Sequence, residues 1–228
     1  WQREVLPQAY LLCLQAPQSA AQAGPGQFFM VRCGNGYDPL LRRPLSLHGL
    51  GPGQVLFLYQ LVGKGTLWLS QRQPGDRIDL LGPLGRGFQV EPGHGPLLMV
   101  AGGMGIAPLA ALAQHAVAQG RDAIMLLGAP RASQIYPREL LPPQVEVVVA
   151  TEDGSLGRKG MVTELIPEFW AGAAQVFACG PPAMYQAMTR MNLVGKSVQV
   201  LLEERMACGL GGCYGCTIQT PQGPKLVC

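Results

Sequence analysis

Leu97-Leu98-Met99-Val100-Ala101-Gly102-Gly103-Met104-Gly105-Ile106-Ala107-Pro108 is the stretch that decides the fold. Leu97 to Ala101 is an unbroken apolar run, the mark of a strand buried on both faces. The glycines after it make a tight turn. Beyond the turn Leu109, Leu112, Ala113, Ala116 and Val117 recur at i, i+3, i+4, i+7 and i+8, the apolar stripe of one helix. Pro108 falls in the first turn of that helix, where its missing N–H removes no hydrogen bond.

The alternation continues downstream. Strands are expected at Ala123–Leu127, Val145–Ala150, Gln175–Cys179 and Val198–Leu202, with helices near Met161–Leu165 and Pro182–Met191. Strand and helix in turn mean a parallel α/β sheet, here over residues 95–202. Such sheets bind dinucleotides at the carboxyl ends of their strands, which makes Gly102, Gly103, Gly105 and Pro108 candidate nucleotide-site residues. Their spacing is not G-x-G-x-x-G, and a glycine turn before a helix is common. Cys179-Gly180-Pro181-Pro182 likewise closes a strand and opens a helix; taken alone, Cys179 reads as a buried structural thiol.

Residues 1–94 have another rhythm. Short apolar strands, clearest at Leu11–Leu14, Phe28–Cys33, Val55–Val62 and Arg77–Leu81, are broken by the turns Gly24-Pro25-Gly26, Gly51-Pro52-Gly53 and Pro74-Gly75-Asp76. That is the pattern of a small antiparallel barrel or sandwich. Within it Arg42-Arg43-Pro44-Leu45-Ser46 sets an arginine beside a rigid proline, suited to gripping a phosphate bidentately, with a serine in reach of a flavin edge or a phosphate. Gly63-Lys64-Gly65-Thr66 precedes a short helical stretch, where free N–H groups and a hydroxyl make an anion nest. The bland reading of each is a surface arginine and a strand-ending turn.

Residues 203–228 fit neither pattern. Four of the seven cysteines crowd this end: Cys208, Cys213, Cys216 and Cys228. C-x4-C-x2-C with a fourth cysteine after eleven intervening residues is the plant-type [2Fe–2S] spacing. Two irons need two thiolates each, and the glycines at 209, 211, 212 and 215 let the backbone wrap closely around them. A structural zinc site is the alternative, although zinc knuckles usually pair their cysteines as C-x2–4-C.

Composition narrows the rest. A net charge of +3 without a basic run gives no footprint for nucleic acid. No run of 18 apolar residues is present and the first residues are no signal peptide, so no membrane partner and a cytoplasmic home are expected. With 48% hydrophobic and 14% charged residues, the surface must carry apolar area, a weak pointer to a partner or a covered cofactor.

Arg43-Pro44-Leu45-Ser46, Gly65-Thr66, Gly102-Gly103-Met104-Gly105 and Cys179-Gly180-Pro181, in that order along the whole chain, resemble the ferredoxin–NADP reductase-like superfamily. Glu203-Glu204-Arg205-Met206-Ala207-Cys208-Gly209 with Gly212-Cys213-Tyr214-Gly215-Cys216, and Thr151-Glu152-Asp153-Gly154-Ser155 with Gly157 and Gly160, look like the electron-transfer subunits of two-subunit, NAD-linked dihydroorotate dehydrogenases. The resemblance implies an α+β multidomain chain: an antiparallel β-barrel for FAD at 1–94, an α/β parallel-sheet NAD domain at 95–202 and a [2Fe–2S] segment at 203–228. It also implies that Arg43, Pro44, Leu45, Ser46, Leu58, Tyr59, Gln60, Gly65 and Thr66 contact FAD, that Cys179 lies near the nicotinamide, and that the four terminal cysteines hold the cluster. The implied activity is an oxidoreductase relay in pyrimidine biosynthesis, from an FMN-containing catalytic subunit in an α2β2 assembly through [2Fe–2S] and FAD to NAD⁺. No acid–base pair suited to dihydroorotate is legible, in keeping with a substrate site on another chain. Similar small subunits serve NADH-dependent ferredoxin–NADP reductases, sulfide dehydrogenases and some hydrogenases, which leaves the partner open at this point. A colourless zinc-binding interaction module is the reading from outside the enzymes.

Overall fold

The computed structural model describes residues 1–191 and 193–228. Its N-terminal unit contains β1 (Gln2–Leu6), β2 (Ala9–Gln15), α1 (Pro17–Gln22), β3 (Phe28–Val31), β4 (Arg43–Gly51), β5 (Gln54–Gln60), α2 (Lys64–Ser70) and β6 (Leu80–Leu84). The strands form one six-stranded sheet in the order β1-β2-β5-β4-β3-β6, every pair antiparallel. The sheet curls because β4 serves two neighbours in turn. Arg43–Ser46 pair with β3, and Leu47–Gly51 pair with β5. Inside the curl Phe29, Leu47 and Phe57 are fully buried, the two rings meeting edge to face at 5.4 Å.

The register of β4 on β5 slips between Leu47 and Gly49, so His48 is the extra residue of a bulge. Bulges re-aim side chains. Here the imidazole points out of its own sheet and into the second unit, where Nδ1 lies 2.9 Å from the Ala107 carbonyl and Nε2 lies 2.8 Å from the Tyr136 hydroxyl.

The second unit holds β7 (Leu97–Gly102), α3 (Ile106–Ala118), β8 (Ala123–Ala129), β9 (Glu146–Thr151), β10 (Arg158–Lys159), α4 (Ile166–Trp170), β11 (Gln175–Cys179), α5 (Pro182–Thr189) and β12 (Val198–Leu201). All its strands run parallel, in the order β10-β9-β8-β7-β11-β12. The chain moves outward from β7 on one side and returns to β11 on the other, so the topological switch lies between β7 and β11. β7 and β11 are buried along nearly their whole length, as strands covered on both faces must be.

The linker between the units is tied down. Gln199 accepts from the Gln89 N–H at 2.9 Å and donates back to its carbonyl, while Gln175 accepts from the Glu91 N–H at 2.8 Å. Phe88 meets Phe177 edge to face at 5.1 Å. The last residues form a hairpin, β13 (Thr217–Thr220) with β14 (Gly223–Leu226), and the loop before it packs on the N-terminal sheet. A Cβ on Gly209, at φ +69°, would stand 2.7 Å from Met30 Cγ.

Several boundaries differ from the sequence expectation. The strand expected at Arg77–Leu81 is β6 at Leu80–Leu84; it runs through Gly82-Pro83 because an edge strand tolerates proline. The helix expected at Met161–Leu165 is a 3-10 turn over Val162–Leu165 leading into α4. Pro167 has no N–H to continue the earlier turn and fits instead at the start of a new helix. The helix expected to Met191 ends at Thr189. Arg43–Ser46 forms the head of β4, and the hairpin within 203–228 had no expectation.

Candidate functional site

A cleft of about 1420 Å³ opens where the three parts of the chain meet. From the N-terminal sheet it receives Arg43, Pro44, Leu45 and Ser46 at the head of β4, and Leu58, Tyr59 and Gln60 at the end of β5. The two adjacent arginines divide their work. Arg42 Nη2 is paired with Asp79 at 2.6 Å, which holds that carboxyl below the usual range, whereas Arg43 turns toward the cleft, its Nη1 donating to the Leu41 carbonyl at 2.7 Å. Gly65 lets α2 start against Arg43, since a Cβ there would lie 3.0 Å from Arg43 Nε. Thr66 Oγ1 accepts from the N–H groups of Val62 and Gly63 at 2.9 and 3.2 Å, fixing the start of α2 beside the cleft. Tyr59 donates to Gln2 Oε1 at 2.8 Å, and burial pushes its phenol up. The other walls combine apolar side chains such as Phe28, Leu84 and Val227 with the charged Arg86, Glu203, Glu204 and Lys225. A guanidinium, a helix start and apolar faces are what a flat ring system joined to a pyrophosphate needs, so the residues present fit FAD.

A second pocket, about 390 Å³, sits at the switch point of the parallel sheet. Gly102, Gly103 and Gly105 line it from the turn after β7, and Gly180 and Pro181 face them from the turn after β11. The two turns are nearly in contact. A Cβ on Gly105 would lie 1.9 Å from the Cys179 carbonyl oxygen, and one on Gly102 would lie 2.8 Å from Pro181 Cδ. Glycine is required here by close backbone approach, and the same bareness lets a pyrophosphate come near the chain. Gln60, Met104 and Glu203 line both cavities, which therefore adjoin.

Two expected nucleotide residues stand elsewhere. Pro108 borders the larger cleft, and Cys179 lines neither cavity with its side chain. Cys179 is buried at the end of β11, its thiol pushed up to about 12 by burial and by nearby Glu203. Tyr185 closes that corner, accepting from the Gly180 N–H at 2.9 Å and donating to the Leu201 carbonyl at 2.5 Å.

The four terminal cysteines fall into two neighbouring pairs, Cys208 beside Cys213 and Cys216 beside Cys228. Backbone N–H groups point at three sulfurs: Leu210 to Cys208 at 3.3 Å, Gly215 to Cys213 at 3.4 Å, and Cys228 to Cys216 at 3.5 Å. The Leu210 N–H and the Cys213 thiol bring Cys208 down to about 6. For Cys216 burial pushes upward, but the Cys228 N–H and thiol outweigh it and leave the group below the usual thiol range. Among the described residues no three metal-binding side chains converge on one ion position. Paired thiolates with N–H donors are the donor set of a two-iron cluster, and these residues fit it. Tyr214, at φ +59°, and Leu210 stand exposed beside this loop.

Sequence reasoning gave no role to several residues of the site. Glu203 stands at the junction of the cavities with enough protein around its carboxyl to raise its pKa, although it keeps contact with solvent. Glu152 reaches the far end of the smaller pocket. Pro83 to Gly87 wall the larger one. The Pro-Leu-Gly-Arg-Gly run was the one available signal for this wall, and it reads equally as a turn.

Comparison with known proteins agrees with this geometry. The family model for the oxidoreductase NAD-binding domain matches residues 99–190, and that for the iron–sulfur cluster binding domain of dihydroorotate dehydrogenase B matches 203–228. The dihydroorotate dehydrogenase B (NAD(+)) electron transfer subunit of Desulforamulus reducens is 42% identical, over 94% of this chain and 84% of its own length. That of Geobacillus thermodenitrificans is 40% identical over 96% of this chain and 87% of its own. Among solved structures, an NADH-dependent reduced ferredoxin-NADP oxidoreductase superposes with a TM-score of 0.87 at 28% identity, over all of this chain and 83% of that one. No helix among the described residues is long and apolar enough to cross a membrane.

Proposed function

The chain belongs to the family of dihydroorotate dehydrogenase B electron-transfer subunits, and from that premise we propose how its residues divide the work. It is an oxidoreductase subunit that carries electrons from a catalytic partner subunit to NAD⁺, with FAD and a [2Fe–2S] cluster as its redox groups. The observation that carries the reading is the larger cleft, walled at once by the N-terminal sheet, the parallel sheet and the cysteine segment, and adjoining the pocket at the switch point.

Bound FAD and [2Fe–2S] supply the exchange between one-electron and two-electron chemistry. The protein supplies placement. In our reading Arg43 and the first turn of α2 hold the flavin pyrophosphate, while Ser46 and Gln60 offer hydrogen bonds at the polar edge of the ring. Leu45 and Leu58 exclude water from its apolar edge. Cys208 and Cys213 hold one iron, and Cys216 and Cys228 the other. The N–H groups of Leu210, Gly215 and Cys228 stabilise the charge on the sulfurs. Gly102, Gly103 and Gly105 admit the dinucleotide pyrophosphate, with the nicotinamide toward Gln60 and Glu203, the end nearest the flavin cleft.

The three units are then 1–94 for FAD, 95–202 for the nucleotide and 203–228 for the cluster. The partner is an FMN-containing subunit that oxidises dihydroorotate, in an α2β2 complex of the cytoplasm, and the exposed Leu210 and Tyr214 lie on the face that meets it.

The test is anaerobic copurification with the catalytic subunit, followed by dihydroorotate-dependent NAD⁺ reduction. Activity that disappears without this chain, while the partner still reduces an artificial dye, is the expected result. NADH that bleaches the flavin without any dihydroorotate-linked turnover would move the relay to another partner, such as the ferredoxin-linked enzyme whose fold it shares.

A further inference from the structure

β11 and β12 pair in register from Val176 with Val198 to Cys179 with Leu201. In a parallel ladder the N–H groups of alternate residues face the same neighbouring strand. The Val176 N–H donates to the Ser197 carbonyl at 3.0 Å, so the same series sets Ala178 against Gln199 and Gly180 against Leu201. The bond that would continue the ladder past its end therefore joins the Gly180 N–H to the Leu201 carbonyl. Instead the Tyr185 hydroxyl, reaching in from α5, stands between the two groups. It accepts from Gly180 at 2.9 Å and donates to Leu201 at 2.5 Å. A carbonyl can only accept and an amide N–H can only donate, so the single phenolic hydrogen is committed to Leu201. Burial pushes the phenol up, which keeps that hydrogen in place.

One oxygen atom thus wedges the two strands apart at their carboxyl ends, and the segments that diverge there wall different cavities. Gly180 belongs to the turn that lines the smaller pocket, and it is tightly held: a Cβ on it would lie 2.7 Å from Met184 Cε and 3.1 Å from the Gly102 nitrogen. Leu201, Leu202 and Glu203 wall the larger cleft, and Glu203 lines both cavities. Tyr185 lines neither; it holds the two walls from behind.

We propose that Tyr185 is a positioning residue for hydride exchange, its interposed hydroxyl fixing the spread between the Gly180 turn and the Leu201–Glu203 segment. This rests on the flavin and nucleotide reading given above. A nicotinamide at the junction of the cavities has one wall on each side of the wedge, and transfer between stacked rings tolerates little error in their separation. Without the hydroxyl, Gly180 and Leu201 either close into the direct bond or stand unpaired, and each result moves Glu203 relative to the Gly180 turn.

The experiment compares the purified holoprotein, wild type and Tyr185→Phe, under anaerobic conditions. Stopped-flow mixing with NADH reads the rate of flavin bleaching and the long-wavelength charge-transfer absorption of stacked nicotinamide and flavin. Calorimetry with ADP-ribose, which lacks the nicotinamide, reads affinity without turnover. Tyr185→Phe is expected to slow bleaching by about tenfold or more and to weaken the charge-transfer band, with ADP-ribose affinity held within about threefold and FAD content unchanged. Tyr185→Met, a flexible apolar side chain without the hydroxyl, carries the same expectation and stands in if the phenylalanine variant fails to fold. A wild-type rate and band in a folded variant, whatever its melting temperature, would overturn the assignment and leave a structural tie. Equal losses of rate and ADP-ribose affinity would overturn it too, since the hydroxyl would then serve binding. A wild type that neither binds ADP-ribose nor is bleached by NADH would instead overturn the nucleotide reading itself.

Discussion

Protonating His48 should destabilise this protein from the inside. The imidazole lies between the two sheets, 4% exposed, with Nδ1 on the Ala107 carbonyl and Nε2 on the Tyr136 hydroxyl. A carbonyl can only accept, so Nδ1 carries the hydrogen; Nε2 then accepts from the tyrosine, and the ring is neutral. Burial lowers its pKa from 6.5 to about 4, against a smaller upward pull from the Ala107 carbonyl. Between those values the unfolded chain binds a proton that the folded chain refuses, so stability falls as pH drops through 6.5 and the loss is complete near 4. The shift corresponds to about 2 kcal/mol at pH 5 and about 3 kcal/mol at pH 4. His48→Asn keeps a donor for Ala107 but does not titrate. At pH 8 it should cost about 1–3 kcal/mol, because the Tyr136 hydroxyl loses its acceptor. At pH 5 that deficit should shrink by about 2 kcal/mol. Urea unfolding of both proteins at the two pH values, followed by far-ultraviolet circular dichroism, reads the double difference. Parallel losses in wild type and variant would refute the argument, since the acid sensitivity would then belong to carboxylates elsewhere.

Three further outcomes are expected. Cys213→Ser should abolish the visible absorption of the cluster while leaving FAD bound and NADH-dependent dye reduction intact; a colourless, zinc-containing wild-type protein isolated anaerobically would contradict the ligand set. Arg43→Ala should weaken FAD retention by about tenfold or more, the loss of a charge-assisted phosphate contact, and a flavin occupancy unchanged on dilution and gel filtration would count against the anchor. Gly105→Ala, which drives a methyl into the Cys179 carbonyl oxygen, should destabilise by at least about 1–3 kcal/mol and depress ADP-ribose binding in calorimetry, whereas a variant with wild-type melting would show that the two turns separate freely.

What the sequence made legible follows from how each element is stabilised. The parallel half could be read because strands buried on both faces become nearly continuous apolar runs, as Leu97–Ala101 and Val176–Cys179 are in the structure. The iron–sulfur segment could be read because cluster chemistry fixes cysteine type and spacing together. The edge strand β6 was displaced in the reading because Gly82-Pro83 has the composition of a turn, and only pairing with β3 makes it a strand. Side chains that act by convergence were the least legible. His48 carries no local pattern and acquires its role from partners dozens of residues away; Glu203 stands in a recognisable run, but its place between the two cavities comes only from the fold.

The bulge at His48 shows how such convergence serves the relay. β4 begins with Arg43 at the flavin cleft and, five residues on, throws one side chain across to the first turn of α3, immediately after the glycines of the nucleotide pocket. Gly49 and Leu50 extend the contact: a Cβ on Gly49 would lie 2.8 Å from Gln114 Oε1, and that oxygen accepts the Leu50 N–H at 3.2 Å. The strand that carries Arg43, the phosphate anchor we propose, is thus also the strand that packs on α3. Hydride exchange depends on a separation fixed to within a fraction of an ångström, and a buried, doubly hydrogen-bonded imidazole between two rigid elements sets that separation more firmly than a loop would. If so, His48→Asn should disturb NADH-dependent flavin reduction at pH 8, where the stability cost is modest, more than it disturbs the binding of either nucleotide or FAD alone. Equal losses in reduction and binding would leave His48 a packing residue only.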